Sequence, residues 1–175
     1  MSIIGITGHR SIYGYNLNDY KWQNIKNIFK NILIENQCTE GVTGMALGTD
    51  MIFAIAIIEL KQEGYNIKLH CAIPCKNHFS RWYPDSIKLY NYLLSQADIV
   101  KYVSTENYQP YLMQKRNEYI VDYVDKMIAL WNGSSGGTAN CVKYAKKKNK
   151  DIMIINPDLV IDNCLIERMN KYGKL

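Results

Sequence analysis

Three strand-like runs of this 175-residue chain end in glycine-containing breaks. Residues 3–7 lead into Gly8-His9-Arg10, residues 41–43 into the break 44–50, and residues 128–131 into the break 132–138. In a parallel α/β sheet, the carboxyl ends of the strands lie along one edge, where ligands bind. The three breaks therefore favour a parallel sheet in which separate chain segments meet in one crevice.

The third break has the features of a phosphate site. Its sequence is Asn-Gly-Ser-Ser-Gly-Gly-Thr, and it runs directly into a helix predicted over residues 139–148. Glycines let the backbone come close to an anion, and the positive end of the helix dipole favours the negative charge. Tight strand-to-helix packing is the alternative explanation for the same sequence.

Strand and helix patterns alternate along the chain without a linker, a repeat or a low-complexity block. The prediction is an α/β fold: a single Rossmann-like, doubly wound, mostly parallel sheet of about six strands with helices on both faces. We expect one domain over residues 1–175, with a core over 3–155 and a helical tail over 157–175. The strands are predicted at 3–7, 41–43, 66–73, 98–103, 126–131 and 151–155, and the helices after residue 16 and at 51–63, 84–95, 110–123, 139–148 and 159–170.

Composition excludes few functions. No segment approaches the roughly 20 apolar residues that cross a bilayer, so no membrane partner is expected. The five cysteines form an odd, scattered set, which favours free thiols in a reducing compartment, and we expect a cytoplasmic protein. The net charge of +5 suits a polyanionic ligand or a nucleic acid without requiring either.

The helix predicted over residues 51–63 is apolar on all sides in its first two turns. A helix that packs on a sheet with one face normally has polar residues on the opposite face, so an apolar outer face indicates that this face is also buried. We therefore predict a homo-oligomer, a dimer or larger.

Several polar side chains lie at the breaks. Arg10 could hold phosphate oxygens with its guanidinium or be a solvated surface residue. His9 could bind a ribose or a base, or cap the turn. Asp50 lies where a helix N-cap is expected, and capping is its favoured role, although its second oxygen could accept a ribose hydroxyl.

A zinc site is considered at residues 70–78, which contain His70, Cys71, Cys75 and His78. On a strand, His70 and Cys71 point to opposite faces, so they cannot easily share a metal ion. No metal site is predicted, and buried thiols are the preferred interpretation. A cysteine nucleophile has little support, because no base can be assigned to it.

The lysines at 146–148 and Lys150 close the fifth predicted helix, where cations complement the negative end of the dipole. That explanation is preferred to a nucleic-acid surface. Trp82 and Trp131 could stack on a base or belong to the core, and Trp131, at a strand end, is the better stacking candidate.

Seven short segments follow one another along residues 3–155. They are Thr7-Gly-His-Arg10, Gly44-x-x-x-Gly48-x-Asp50, Ala72-Ile-Pro74, Arg81-Trp82, Ala97-Asp98, Arg116-Asn117 on the polar face of its helix, and Gly136-Gly-Thr138. Together, and in the expected order, these segments resemble the YpsA-like proteins of the SLOG superfamily, which also contains the LOG phosphoribohydrolases and the DprA-like proteins.

The resemblance implies a Rossmann-like domain that binds nucleotides or nucleotide-derived molecules such as ADP-ribose derivatives. It places the ligand among Gly8, His9, Arg10, Gly44, Gly48, Asp50, Arg116, Asn117, Gly136, Gly137 and Thr138. LOG enzymes have a motif that resembles Pro-Gly-Gly-x-Gly-Thr and is followed by a catalytic glutamate. In this chain, Asn140 stands at the position of that glutamate. Because asparagine does not act as an acid or base, a LOG-type cleavage is in doubt.

The leading hypothesis is a sensor or sequestering module for a nucleotide-derived small molecule, with no further cofactor and with Arg10 and Arg116 neutralising the phosphates. The alternative is an enzyme that cleaves a nucleotide N-glycosidic bond, with Asp50 as a weak candidate for the acid and the catalytic residues otherwise unknown. A third hypothesis is single-stranded nucleic-acid binding through the lysine run.

Overall fold

A computed structural model describes residues 1–160. The helix predicted at 159–170 therefore lies almost wholly outside the described residues. The strands are β1 Ser2–Gly8, β2 Cys38–Thr43, β3 Lys68–Ile73, β4 Ile99–Tyr102, β5 Lys126–Leu130 and β6 Asp151–Ile155. The helices are α1 Tyr20–Glu35, α2 Thr49–Gln62, α3 Pro84–Ser95, α4 Pro110–Tyr123 and α5 Gly137–Lys147.

The six strands form one parallel sheet in the order β4-β3-β2-β1-β5-β6. Helices α1, α2 and α3 pack together on one face, while α4 and α5 pack together on the other. This confirms the predicted Rossmann-like α/β fold. Strand order reverses between β1 and β5, and open α/β sheets bind ligands beyond the carboxyl ends of the strands at such a switch point.

The apolar stripe of α1 predicts its position correctly. Trp22, Ile25, Phe29, Ile32 and Leu33 recur at helical spacing and are all buried against the rest of the core. The helix begins after Asp19, whose carboxylate accepts a hydrogen bond from the Lys21 amide at 2.9 Å.

Helix α2 is covered by its own chain. It lies between the sheet and α1, with further contacts to α3. Met51, Ile52 and Phe53 are fully buried, and the Phe53 ring meets the Phe29 ring edge-on at 5.7 Å between centroids. The observation that suggested a homo-oligomer thus has an explanation within one chain, and oligomerisation stays a prediction without that support.

The cysteines and hydrophobic segments within residues 1–160 add two findings. Cys38, Cys71, Cys75 and Cys141 are free and buried. Among these residues, no helix is both long and apolar enough to span a membrane.

Candidate functional site

A cavity of about 410 Å³ lies at the carboxyl ends of β1 and β5. We call it the first cavity. Nine of the eleven predicted site residues line it. Its lining is Ile6, Thr7, Gly8, His9, Arg10, Ala46, Asp50, Met113, Arg116, Asn117, Ser135, Gly136, Gly137 and Thr138.

The amino end of α5 forms one wall of the first cavity. Gly136 is its N-cap with φ 137°, a conformation that residues other than glycine rarely adopt, and in the described part of the chain no side-chain hydrogen bond caps the helix. The amides of a helix's first turn have no acceptor within the helix, and they carry its positive partial charge. Among the described residues, a Cβ built on Gly136 or Gly137 would meet no atom within 4 Å apart from the adjacent backbone, so residues 1–160 leave open space beside these two glycines.

Local hydrogen bonds hold the third break in place. The Trp131 indole N–H donates to the Ser134 carbonyl at 2.8 Å, and the Ser134 amide donates to the Asn132 side chain at 3.1 Å. His9 joins the first break to the third, because its Nε2 lies within hydrogen-bonding distance of Asn132, 2.9 Å from its Oδ1 and 3.2 Å from its amide nitrogen, and the tautomer of the ring selects between the two partners. Trp131 therefore fixes the loop and does not line the first cavity, contrary to its proposed stacking role.

The second break does not expose glycine backbone to the first cavity. Gly44 and Gly48, the two predicted site residues outside the lining, allow close packing of the chain instead. A Cβ on Gly44 would overlap the Arg116 guanidinium, and one on Gly48, where φ is 74°, would overlap the Arg10 carbonyl. The sequence predicted that the glycines of all three breaks would line one crevice. In the structure, only glycines of the first and third breaks line the first cavity.

Gly8 lines the first cavity, and it also packs so closely against Thr49 that no side chain would fit there. A Cβ there would lie 2.6 Å from Thr49 Oγ1, which donates to the His9 carbonyl at 2.7 Å. The His9 amide already donates to the Leu130 carbonyl at 3.2 Å. The free amides at this edge are therefore concentrated at α5.

Asp50 and Arg116 form a buried pair at the base of the first cavity. Arg116 Nη1 lies 3.6 Å from Asp50 Oδ2 and donates to the Gly44 carbonyl, while Arg116 Nε donates to Asn117 Oδ1 at 2.9 Å. Both side chains of the pair are more than nine-tenths buried. Arg116 was predicted on a polar helix face, and the structure corrects this: the guanidinium extends inward from α4 to hold the second break.

Asp50 is not the N-cap of α2. Gly48 occupies that position, and Asp50 lies within the first turn. Its Oδ2 accepts from the Ala46 amide at 3.1 Å, so it closes the loop before the helix. The predicted capping role was wrong because the helix starts two residues earlier than the sequence suggested.

Burial acts on both charges of this pair. It raises the pKa of Asp50 above its ordinary value, while the Arg116 guanidinium and the Ala46 amide oppose the rise. Burial lowers the pKa of Arg116, and Asp50 opposes that change. A buried carboxyl group with a raised pKa beside a cavity is typical of functional sites, although structural ion pairs also have it.

Arg10 carries the accessible positive charge of the site. It is exposed, it follows the first break, and within residues 1–160 its guanidinium makes no hydrogen bond or ion pair. Arg116 is already paired with Asp50, so Arg10 is the guanidinium available to an incoming anion.

A second cavity of about 190 Å³ adjoins the first. Arg10 and Met113 line both cavities. The remaining lining residues of the second cavity are His78, Ser80, Arg81, Trp82 and Tyr108.

The residues considered for zinc are separated. The His70 ring packs against Tyr123 on α4, whereas Cys71 belongs to the core on the opposite face of the sheet. Within the described chain, no three His, Cys, Asp or Glu side chains are placed to hold a metal ion. Burial raises the pKa of Cys71 to about 12 and that of Cys141 to about 11, so both are protonated thiols at neutral pH.

Sequence reasoning missed Met113, Ala46 and the second cavity. Met113 precedes Arg116 by three residues on α4, and side chains at that spacing share a helix face, so its position could have been inferred. The second cavity has no such signal, because it forms between the loop after β3 and the loop before α4.

The sheet order and the first cavity define a Rossmann-like α/β protein with a polar crevice at its switch point. The family model described as the YspA SLOG family matches residues 4–160. The chain therefore belongs to the YpsA family of SLOG proteins.

Three similar proteins illustrate the range of this relationship. An uncharacterised SPbeta prophage-derived protein, YoqJ of Bacillus subtilis, is 38% identical over 117 residues, which are 61% of this chain and 68% of YoqJ. The UPF0398 protein BH1768 of Halalkalibacterium halodurans is 28% identical over 90% of this chain and 89% of its own length. The DNA processing protein A structure from Helicobacter pylori superposes with a TM-score of 0.61 at 20% identity; the match covers 88% of this chain and 65% of that chain.

Proposed function

We propose that this protein binds a nucleotide-derived small molecule of the ADP-ribose type in the first cavity, as a sensor or sequestering module. The phosphates lie against the first-turn amides of α5, and Arg10 closes over them. The uncapped helix end facing open space is the observation that carries the proposal. In this assignment Gly8, Gly136, Gly137 and Thr138 provide backbone, His9 and Asn117 provide polar groups, and Gly44, Gly48, Asp50 and Arg116 shape the base of the site.

The charge distribution supports an anionic ligand. The Arg116 guanidinium is paired with Asp50, whereas Arg10 is exposed and unpaired in the described part of the chain. The helix dipole adds positive potential at the same wall. Neither contribution depends on a metal ion or a further cofactor.

Isothermal titration with ADP-ribose, NAD and cyclic nucleotides tests the proposal. We expect a saturable heat with at least one of them. A panel that gives no heat with any phosphate-bearing probe would contradict the proposed function.

Gly137→Val is the matching variant. Open space in front of Gly137 means that the fold tolerates the side chain, which then occupies the place of the phosphate. We expect binding at least about tenfold weaker, which corresponds to about 1.4 kcal/mol. Lys146→Val is the control, because it places the same side chain at the exposed opposite end of α5.

The alternative is N-glycosidic cleavage of a nucleotide. It is favoured by Asp50, a buried carboxyl group that lines the first cavity and whose raised pKa suits proton donation to a leaving base. Asn140, at the position of the LOG glutamate, is exposed and lies outside the cavity lining. Asp50 would therefore have to supply the acid alone.

Incubation with nucleoside monophosphates, followed by chromatography, decides between binding and cleavage. Cleavage requires release of free base by the wild type and its loss in Asp50→Asn. Absence of free base, or full turnover by the variant, would exclude this mechanism.

A third function is binding of single-stranded DNA, the ligand named for the Helicobacter pylori structure. Lys146 and Lys147 are exposed in the last turn of α5, whereas Lys148 is paired with Asp122 at 3.1 Å. Gel-shift titration over a salt series tests this, since true phosphate contacts weaken steeply as salt rises. Cytoplasmic location and homo-oligomerisation remain predictions within this proposal.

A further inference from the structure

Two arginine side chains line the second cavity. Arg10 belongs to the first break, and Arg81 belongs to the loop between β3 and α3. Both residues are exposed, and within residues 1–160 neither guanidinium makes a hydrogen bond or an ion pair. None of the described residues that line this cavity is acidic. Like charges at one cavity repel each other, and a bound anion offsets that repulsion.

The loop that carries Arg81 is held in place by hydrogen bonds. The Ser80 amide donates to the Asn77 carbonyl at 3.2 Å. Asn77 Oδ1 accepts from the Tyr108 amide at 2.9 Å, which ties this loop to the loop before α4. The backbone of this wall is therefore fixed before a ligand arrives, and such preorganisation lowers the cost of binding.

Aromatic packing fixes the rest of the same wall. The Trp82 ring meets the His78 ring edge-on at 5.2 Å and the Tyr90 ring edge-on at 5.8 Å between centroids. Burial lowers the pKa of His78 to about 4, and the charges of Arg116 and Arg10 act in the same direction. The imidazole is therefore neutral at pH 7, and the positive charge at the cavity comes from its two arginines.

The size and the donors of the second cavity select a small anion. Its volume of about 190 Å³ is below the roughly 300–1,000 Å³ of pockets that enclose a whole small molecule. A guanidinium can donate two parallel hydrogen bonds to a phosphate or a carboxylate group. Two guanidiniums match the double charge of a phosphate group better than the single charge of a carboxylate. The Ser80 hydroxyl lines the same cavity and adds a further donor.

We propose that the second cavity is an anion site of its own, in which Arg10, Arg81 and the Ser80 hydroxyl bind one doubly charged phosphate group, as the free ion or as a monoester. This site goes beyond the proposed function and does not require a ligand in the first cavity. Arg10 lines both cavities, whereas Arg81 lines the second alone. Substitution of Arg81 therefore isolates the second cavity.

Titration of the uniformly ¹⁵N-labelled protein with inorganic phosphate, at constant ionic strength, tests the site. We expect saturating shifts of the Ser80 amide and of the Trp82 indole N–H. Arg81→Met and Arg10→Met should each raise the dissociation constant measured at these two signals about tenfold, because each removes charged hydrogen bonds. Acetate, which has one charge, should bind about tenfold more weakly than phosphate. Methyl phosphate, titrated in parallel, shows by its relative affinity whether the free ion or an ester is preferred.

Lys88→Met is the matched control. It removes one positive charge from an exposed position on α3, and Lys88 lies outside both cavities. We expect this variant to bind phosphate at the second cavity like the wild type. Arg81→Lys retains the charge without the forked geometry of the guanidinium, so its affinity should lie between those of the wild type and Arg81→Met.

The outcomes separate this site from the one proposed at α5. The second cavity is not an anion site if the Ser80 and Trp82 signals do not respond to phosphate, or if Arg81→Met binds as tightly as the wild type. Equal losses in Arg81→Met and Lys88→Met would also overturn it, since they would reflect net charge alone. An acetate affinity equal to that of phosphate would contradict a doubly charged ligand. The response of the Gly136 and Gly137 amides tests the first cavity independently.

Discussion

At the residue scale, the glycines around the crevice serve two different purposes. Gly44 and Gly48 make room for Arg116 and for the backbone of Arg10, whereas Gly136 and Gly137 face open space. Of the two pairs, only Gly136 and Gly137 leave space for a ligand to contact their backbone amides. A substitution at one pair should therefore disturb the fold, and one at the other should disturb binding.

Gly48→Ala should destabilise the fold strongly. The alanine would have to adopt the left-handed backbone conformation of Gly48, and its Cβ would overlap the Arg10 carbonyl. We therefore expect a loss of at least about 1–2 kcal/mol in the free energy of unfolding. Gly137→Ala is the matched control and should unfold like the wild type. Urea unfolding measures both, and equal midpoints for the two variants would show that the packing account of Gly48 is wrong.

The buried Asp50–Arg116 pair should respond differently to single and double substitutions. Arg116→Met leaves Asp50 buried without its counter-charge, and we expect a loss of about 3–5 kcal/mol. Asp50→Asn combined with Arg116→Met removes both charges and should recover a large part of that loss. Additive effects in a double-mutant cycle, measured by urea unfolding, would contradict direct coupling of the pair.

The stability of the protein should depend on pH through His78. Its pKa is about 4 in the folded chain and about 6.5 when unfolded, so between these values the unfolded chain binds more protons. The free energy of unfolding should therefore fall as pH drops from about 6.5 to about 4, by on the order of 3 kcal/mol. His78→Phe should lack this component, and identical pH profiles for wild type and variant would refute the assignment.

At the element scale, α2 and α5 show how similar strand-to-helix junctions differ. Both helices follow a glycine N-cap, Gly48 for α2 and Gly136 for α5, and neither N-cap makes a side-chain hydrogen bond. Before α2, Asp50 accepts the Ala46 amide and Arg116 covers the loop, whereas within residues 1–160 open space lies beside Gly136 and Gly137. The difference is the reason that the proposed function places the anion at α5 and not at α2.

Phe53→Ala tests whether α2 is an internal element of one chain. The ring is fully buried between α1 and the sheet, so we expect a loss of about 3–5 kcal/mol in unfolding free energy. The oligomeric state, measured by light scattering on the folded variant, should equal that of the wild type. A change in oligomeric state at retained stability would place this side chain in a subunit interface instead.

At the scale of the whole molecule, the fold followed from sequence because its signals are local. Periodic apolar residues placed α1, and the prolines at 84 and 110 marked the starts of α3 and α4. The doubly wound parallel sheet followed from general rules for alternating strands and helices, whereas the order of its strands was not predicted. The coverage of α2 could not be read from its own residues, because it depends on which neighbours the topology places against it.

The site was predictable only in part, for a related reason. Gly136, Gly137 and Arg10 lie in short motifs whose geometry is local, and the structure places all three at the first cavity. Gly44 and Gly48 share the same sequence signature, but Gly44 packs against Arg116 from a distant helix and Gly48 against the backbone of Arg10 from the first break. The second cavity combines residues near 80 with residues near 110, and no short-range pattern indicates that contact.

The proposed function requires an anion to bind at the start of α5. Amide chemical-shift perturbation during titration of the uniformly ¹⁵N-labelled protein with ADP-ribose tests it directly, because the method reports on each backbone N–H separately. We predict saturating shifts at the amides of Gly136, Gly137 and Thr138, and much smaller shifts at Met45 and Ala46, whose amides donate to Thr43 and Asp50. Saturable binding that leaves the amides of residues 136–138 unshifted would show that the ligand binds elsewhere and not at this helix.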